Sequence, residues 1–250
     1  MGRSGAILAT VVVAAVLAGC ATGPDANPRD PLEPLNRTVF GFNDALDKAV
    51  LKPVAQGYQQ ATPALVRTGV SNFFRNLSEP WSFVNNVAQG RISDAGETFI
   101  RFTTNTVFGL GGVLDIAGEA RIPQHKQGLG DTLARYQVPA GPYVVVPLFG
   151  PSTVRDTAAL PVDLKADTLN AIDDVPWRNS LYALRLVSRR AELLGPGEVL
   201  EQAALDKYSF VRDAYLQRLQ NRQQRADRAD AGEVPAEMAD TAPASPDNGN

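Results

Sequence analysis

The sequence predicts a mostly α-helical protein, on three observations. Across residues 35–219 apolar side chains recur three and four positions apart, the repeat of a helix face. Asp, Ser, Thr, Gly and Pro punctuate those stretches where helices start and stop. No part of the chain shows the even spacing of roughly 8–12 residues that marks the strands of a β-sandwich. One continuous body is expected over residues 30–221, without internal repeats or a long linker. It sits between an N-terminal leader with a short tether and a C-terminal tail.

The first helix is expected to open at Asp30-Pro31-Leu32-Glu33, a capping-box pattern with proline at its tolerated first position. Leu35, Val39, Phe42, Leu46 and Val50 then mark one face, and Pro53 is expected to end it. Thr62-Pro63 reads as the N-cap of a second helix, with Leu65, Val66, Val70, Phe73 and Phe74 on its apolar side. Ser78-Glu79-Pro80 reads as the opening of a third, closed by Gly90. Asp94 and Glu97 open a fourth, striped by Ala95, Phe99, Phe102 and Thr106, with Ile100 and Val107 beside it. A long helix then follows Trp177, Leu181, Leu184, Val187, Ala191 and Leu194 and stops at Gly195-Pro196. The last begins near Asp206 and uses Tyr208, Val211, Tyr215 and Leu219. From Arg222 aromatics disappear and Ala, Asp, Glu, Pro and Gly take over. Residues 222–250 are therefore expected to be disordered, with too little apolar surface to offset the entropy of ordering.

Two segments do not fit plain helices. In Phe108-Gly109-Leu110-Gly111-Gly112-Val113-Leu114-Asp115, each glycine would cost roughly 0.8–1 kcal/mol inside a helix. The chain must bend, pivot or admit close backbone contact there, as an ordinary interhelical loop or as a hinge at Gly109, Gly111 and Gly112. A phosphate-binding loop is excluded, since no Gly-Lys-Ser/Thr follows and no strand pattern precedes. In Gly141-Pro142-Tyr143-Val144-Val145-Val146-Pro147-Leu148-Phe149-Gly150-Pro151-Ser152, flanking prolines forbid a helix and three valines favour an extended path. That run is either a buried connector or short strand, or a segment covered by protein on one side and lipid on the other.

The N-terminus carries an address. Arg3 precedes an apolar run, Ala6 to Ala18, that as a helix spans roughly 20 Å, short of the ~30 Å hydrocarbon core. This is the build of a secretory signal over residues 1–19, not of a membrane span. Leu17-Ala18-Gly19-Cys20 resembles the lipobox of bacterial lipoproteins, which makes Cys20 the expected lipidation site and residues 20–29 a lipidated tether. Acyl chains on that residue satisfy the two-signal requirement for stable anchoring. Ala21 after the cysteine looks like an outer-membrane address. Cys20 is the only cysteine, so the mature fold is expected to hold together without a disulfide.

Chemistry-bearing patterns are sparse. The net charge of −3 and the lack of a Lys/Arg block argue against a nucleic-acid partner and against an electrostatic draw to anionic lipid. His125 is the only histidine, in what reads as a solvated loop, and no ligand set for zinc accompanies it. Ser152 lacks the Gly-x-Ser-x-Gly pattern of a nucleophile elbow and reads instead as an N-cap. The adjacent Arg155 and Asp156 are expected to meet separate partners. No enzyme, cofactor or metal is expected.

Several blocks together carry a resemblance. Asp30-Pro31-Leu32-Glu33-Pro34-Leu35-Asn36-Arg37 with Phe40-Gly41-Phe42-Asn43 resembles the opening signature of the MlaA/VacJ outer-membrane lipoproteins. Gly69-x-x-Asn72-Phe73-Phe74-x-Asn76-Leu77-x-Glu79-Pro80 and Arg101-Phe102-x-x-Asn105-Thr106, leading to Asp115, are similar to later blocks of that family. So are Gly141-Pro142-Tyr143, Gly150-Pro151-Ser152, Arg155-Asp156 and the closing Asp206-Lys207-Tyr208-x-x-Val211-Arg212-Asp213-Ala214-Tyr215. Departures are Leu129, where an aromatic is common, and Lys207, where proline is often found.

The resemblance implies a ring-like single domain of amphipathic helices at the inner face of the outer membrane, around a channel of mixed polarity. It implies removal of mislocalised phospholipid from the outer leaflet, handed to a periplasmic lipid-carrier protein to maintain lipid asymmetry, with a trimeric outer-membrane porin as partner. Phe40, Phe42, Asn43, Asn105 and Tyr143 are then the candidates for the channel or its gate. The competing readings are a structural or assembly lipoprotein without a lipid channel, and a lipid-cleaving enzyme using Ser152.

Overall fold

The computed structural model describes residues 28–230. The expected signal peptide (1–19), Cys20, the tether up to Asn27 and residues 231–250 of the expected tail lie outside them. The chain divides into two units, Met1–Tyr208 and Ser209–Asn250. The first is mostly helical: α1 (Glu33–Leu46), a π-helical turn (Asp47–Leu51), α2 (Lys52–Ala61), α3 (Ala64–Ala88), α4 (Ile92–Val107), α5 (Ile116–Glu119) and α6 (Leu129–Arg135). A hairpin of β1 (Tyr143–Val146) and β2 (Gly150–Thr153) follows, then α7 (Val154–Lys165), a 3-10 turn (Thr168–Ala171), α8 (Val175–Glu192) and α9 (Leu194–Ala203). The last helix, α10 (Lys207–Asp230), begins in the first unit and from Ser209 onward makes up the described part of the second. It continues through Arg222–Asp230, where the sequence places the start of a tail; Arg, Gln and Ala there are good helix formers.

The prolines act differently from their sequence expectation. Pro53 does not end the first helix. A π-helical turn comes immediately before it, in which the Lys52 N–H reaches back five residues to the Asp47 carbonyl. That wider turn already shifts the hydrogen-bond register, so a residue without an N–H is accommodated as α2 begins. Likewise Ser78-Glu79-Pro80 opens no helix: α3 runs unbroken over 25 residues with Pro80 inside. An interior proline costs about 3 kcal/mol, and here tertiary contacts on both sides of it outweigh that. The long helix α8 does stop just ahead of Gly195-Pro196, at Glu192, and those two residues lie in the first turn of α9. Gly90, at φ +74°, does turn the chain between α3 and α4.

Caps are also reassigned. Asp30 is not the first N-cap; Leu32 holds that position and the Asp30 side chain is buried. Thr153, not Ser152, caps α7 by accepting from the Asp156 N–H at 3.2 Å. Arg155 and Asp156 meet each other at 2.9 Å, and Arg155 also donates to the Val138 carbonyl at 3.2 Å. The Pro/Val segment is extended as predicted, and becomes an antiparallel hairpin with Tyr143 opposite Thr153 and Val146 opposite Gly150.

α3 and α4 form an antiparallel pair joined through Gly90, and side-chain polar groups stitch the two together. Asn86 Nδ2 reaches Thr98 Oγ1 at 3.3 Å and Asn76 Nδ2 reaches Thr106 Oγ1 at 3.0 Å. Ala55 of α2, Ala191 of α8 and Leu194 at the start of α9 form a small apolar cluster, with Tyr58 against it. Arg190 grips Asp47 of the π-helical turn by two bonds of 2.6 and 2.8 Å.

Candidate functional site

The inside of this fold is polar. Among the largest fully buried side chains are Glu79, Asn36, Asn86, Thr98, Thr153 and Asp30, and only Tyr143 and Leu169 join them from the apolar and aromatic set. Burying such groups costs free energy unless each is hydrogen-bonded, so their partners define the working architecture.

Asn36 and Asn43 lie seven residues apart, on one face of α1. Asn36 donates to the Tyr143 carbonyl at 3.0 Å and accepts from the Val145 N–H at 2.8 Å. Asn43 donates to the Val146 carbonyl at 3.1 Å and accepts from the Leu148 N–H at 2.9 Å. Two amides thus replace a neighbouring strand for β1, satisfying the backbone of the hairpin edge. Asn36 also donates to Asp30 at 2.8 Å, and Asp30 accepts from the Tyr208 hydroxyl. Burial, then the Asp30 bond, push the Tyr208 hydroxyl pKa upward. Phe40 stacks edge-on against Tyr208 at 5.6 Å, and Tyr143 does so at 6.5 Å. Of the proposed gate residues, then, Phe40, Asn43 and Tyr143 come together here, whereas Phe42 points outward and is exposed. Lys207, in the position where the family resemblance leads one to expect proline, pairs with Asp44 on the same helix α1.

Asn105 belongs to a second cluster with the glycine segment. Its amide donates to Asp115 Oδ1 at 2.9 Å and accepts from the Ala117 N–H at 2.8 Å. Buried Arg101 meets the same Asp115 at 2.9 Å and faces Glu79 at 3.7 Å. Gln124 donates to Glu79 Oε1 at 2.7 Å. Desolvation pushes the Glu79 carboxyl above its usual range, with Gln124 and Arg101 opposing. Desolvation also acts on Asp115, but the Asn105 bond, the Gly118 N–H and Arg101 outweigh it and hold that carboxyl below its usual range. Beside them a Cβ on Gly109 would fall 2.3 Å from the Leu114 carbonyl, and one on Gly112 2.5 Å from Asn76 Cβ. Gly111, at φ +73°, has open space around it.

A cavity of about 230 Å³ opens between α3, α8 and the segment before α6. α3 contributes Ser71, Phe74, Arg75 and Ser78, while α8 contributes Arg185, Ser188, Arg189 and Glu192. Gln124 and Lys126 complete the wall, and Gln124 links it to Glu79. In the sequence Phe74 reads only as part of an apolar helix face and Ser78 only as a helix opening, and the other lining residues carry no motif. The signal in the sequence is two polar stripes at helical spacing, 71/75/78 and 185/188/189/192.

Outside, the pattern inverts. Ile92, Phe99, Ile100 and Val107 of α4 are exposed, and Phe108 and Leu110 of the glycine segment are 72 and 74 % exposed. Leu65 on α3 is 88 % exposed, and Leu148 and Phe149 project from the hairpin turn. Exposed apolar surface beyond scattered single residues marks a protein or membrane contact. No helix among the described residues is long and apolar enough to cross a membrane.

The residues considered for catalysis are engaged locally. The Ser152 hydroxyl donates to the Thr153 carbonyl at 3.3 Å and accepts from Thr157 at 3.0 Å. His125 is not in a solvated loop: its Nε2 lies 2.5 Å from Glu97 and its Nδ1 3.7 Å from Asp94, which fastens that segment to α4. Among the described residues no group of three His, Cys, Asp or Glu side chains is placed to hold a metal ion.

Comparison with known proteins agrees with this arrangement. The family model described as MlaA lipoprotein matches residues 28–222. A Haemophilus influenzae protein named intermembrane phospholipid transport system lipoprotein MlaA is 38 % identical over 224 residues, covering 86 % of this chain and 88 % of its own length. The protein of the same name from Escherichia coli K12 is also 38 % identical, over 81 % of this chain and 82 % of its own. A solved structure concerned with the structural basis for maintenance of bacterial outer membrane lipid asymmetry superposes with a TM-score of 0.65. It shares 37 % identity and covers 76 % of this chain and 96 % of that one. With its order of blocks, its helical fold and these matches, the chain belongs to the MlaA lipoprotein family.

Proposed function

We propose that this protein moves phospholipid between membranes, taking lipid that has strayed into the outer leaflet of the outer membrane and passing it inward, so that lipid asymmetry is maintained. The observation that carries this reading is the inverted build: polar side chains buried inside, a basic cavity between α3 and α8, and apolar side chains outside. A phospholipid in transit needs a polar route for its headgroup beside an apolar one for its tails, and a fold of this kind offers both. Helices that lie at an interface with their apolar faces outward need no spanning segment. The names of the relatives, and the lipid-asymmetry context of the solved neighbour, support the same function.

Within this reading the chain is anchored in the outer membrane, facing the periplasm, through acylated Cys20. A trimeric porin holds it there, and a soluble periplasmic carrier receives the lipid. Phe40, Asn43 and Tyr143 set the fit of α1 against the hairpin, and thereby one wall of the lipid route. Gly111 is the pivot of the glycine segment, because Gly109 and Gly112 are packed against their neighbours. The transport needs no bond to be broken, and no catalytic group is assigned.

The test is genetic and chemical. Deleting the protein from its own host is expected to raise surface-exposed phospholipid, and restoring the wild-type chain to reverse that. Normal surface lipid in the deletion strain would overturn the proposal. Cys20→Ser should fail to complement and should leave the outer-membrane fraction.

A further inference from the structure

We propose that the cavity between α3 and α8 is a phosphate-recognition site, and that Arg75 and Arg189 make it select phospholipids whose headgroup is net anionic. The inference rests on the transport reading above and names its substrate class. Four cationic side chains, Arg75, Lys126, Arg185 and Arg189, line the cavity against one carboxylate, Glu192, in a chain whose net charge is −3. Arg185 is already neutralised by Asp167 at 2.6 Å. Glu192 accepts a hydrogen bond from Ser71. Arg75 reaches only the Asn72 side-chain carbonyl, and no carboxylate among the described residues lies within ion-pairing distance of Arg75 or Arg189.

Arg75 and Arg189 bring two guanidinium groups from different helices to one cavity, each outside ion-pairing distance of a described carboxylate, and Arg189 meets like-charge repulsion from Arg185 that Asp167 and Glu192 oppose. Their planar forks match the oxygens of a phosphate ester better than any neutral headgroup. The volume of about 230 Å³ sets the size. It lies below the ~300–1,000 Å³ of pockets that enclose a drug-sized ligand, so it admits a headgroup and leaves the acyl chains outside. A zwitterionic headgroup would bring its ammonium close to Arg75 and Arg189, with Glu192 the one carboxylate in the cavity lining. A phosphatidylglycerol-type headgroup brings no such charge.

The experiment uses the full-length lipidated protein in detergent, equilibrated with nanodiscs of equal parts phosphatidylglycerol and phosphatidylethanolamine. Lipid retained after re-isolation is quantified by mass spectrometry. Wild type is expected to retain phosphatidylglycerol in excess, by about tenfold, the scale on which one charge-assisted hydrogen bond acts. R75Q/R189Q is expected to bring the ratio close to one, and R75K/R189K to restore part of it. Both arginines are exposed on helix surfaces, so the fold should tolerate the change, and R189Q alone serves if the double variant does not fold. A ratio near one in wild type, or an unchanged ratio in R75Q/R189Q, overturns the proposal while retained lipid leaves the transport reading standing. If wild type retains no lipid, the transport reading falls and with it the lipid source. Titration with glycerol 3-phosphate then separates the remaining cases. Binding abolished by R75Q/R189Q assigns the site to a free phosphate ester, and no binding overturns the site itself.

Discussion

Asn36 and Asn43 show how much of the fold rests on single amides. Each supplies two hydrogen bonds to the exposed edge of β1, but Asn36 is buried and also holds Asp30, whereas Asn43 is half-buried near the hairpin turn. Truncating a buried partner leaves the other groups unsatisfied, at about 1–3 kcal/mol. Asn36→Ala is therefore expected to lower the urea midpoint clearly and by more than Asn43→Ala, and equal effects would show that burial does not decide the cost. Glu79 is a second residue with a sharp expectation. Its folded pKa lies above the ordinary value of 4.5, so the fold favours its protonated form. That contribution is fully present below about pH 4.5 and is lost as pH rises through the folded pKa. Glu79→Gln, which keeps the shape and removes the charge, should gain stability relative to wild type as pH rises from 5 to 8, read by thermal melts across that range. Asp115 runs the other way: its folded pKa is lowered, so its stabilisation is present at neutral pH and fades as pH falls through that value. Asp115→Asn should cost more at pH 7 than at pH 3, since it removes the partner of buried Arg101.

At the level of elements, the glycine segment separates packing from pivoting. A methyl on Gly112 would meet Asn76 Cβ at 2.5 Å, while one on Gly111 would meet nothing but would sit at φ +73°. Gly112→Ala is expected to destabilise by clash, and Gly111→Ala by roughly 1–2 kcal/mol of left-handed strain. A pivot predicts that Gly111→Val changes surface-lipid levels beyond its loss of stability; a proportionate change would make the segment an ordinary packed turn. The helices themselves were legible, because their apolar stripes repeat at three and four. Their boundaries are less so: Pro53 reads as a stop and Pro80 as part of a helix opening, and what keeps the helix running past each is non-local. A π-helical turn takes up one, and the Glu79–Gln124–Arg101 contacts from distant segments hold the other. The Pro/Val segment reads in sequence as extended chain, and what covers the outer edge of its first strand, Asn36 and Asn43, lies over a hundred residues away. The site was the least legible part. Arg75 and Arg189 are unremarkable on their own helices and become a site only when α3 and α8 meet.

For the molecule as a whole, the apolar residues that define the helices in sequence are largely not core. Leu65, Phe99, Ile100, Val107 and Val175 lie on the predicted or observed helix faces, yet all are exposed, while Asn, Thr, Glu and Arg fill the inside. A stripe in sequence reports which face avoids water, and here that face has no protein against it in the described residues. If the apolar exterior is the membrane contact, Leu148 and Phe149 at the hairpin turn provide a clean test, since they are 67 and 56 % exposed and substitution there removes no core. Leu148→Ser/Phe149→Ser should leave the melting temperature in detergent within the small range of surface changes, about ±0.5 kcal/mol. Burying one such side chain in an apolar phase is worth about 1.5–3 kcal/mol, so the pair should weaken co-flotation with phospholipid vesicles by tenfold or more. The comparison is best made in a Cys20→Ser background, where an acyl anchor does not mask the contribution of the surface. Unchanged flotation would place the hairpin turn outside the bilayer contact, and a large drop in melting temperature would show that these side chains pack against protein instead.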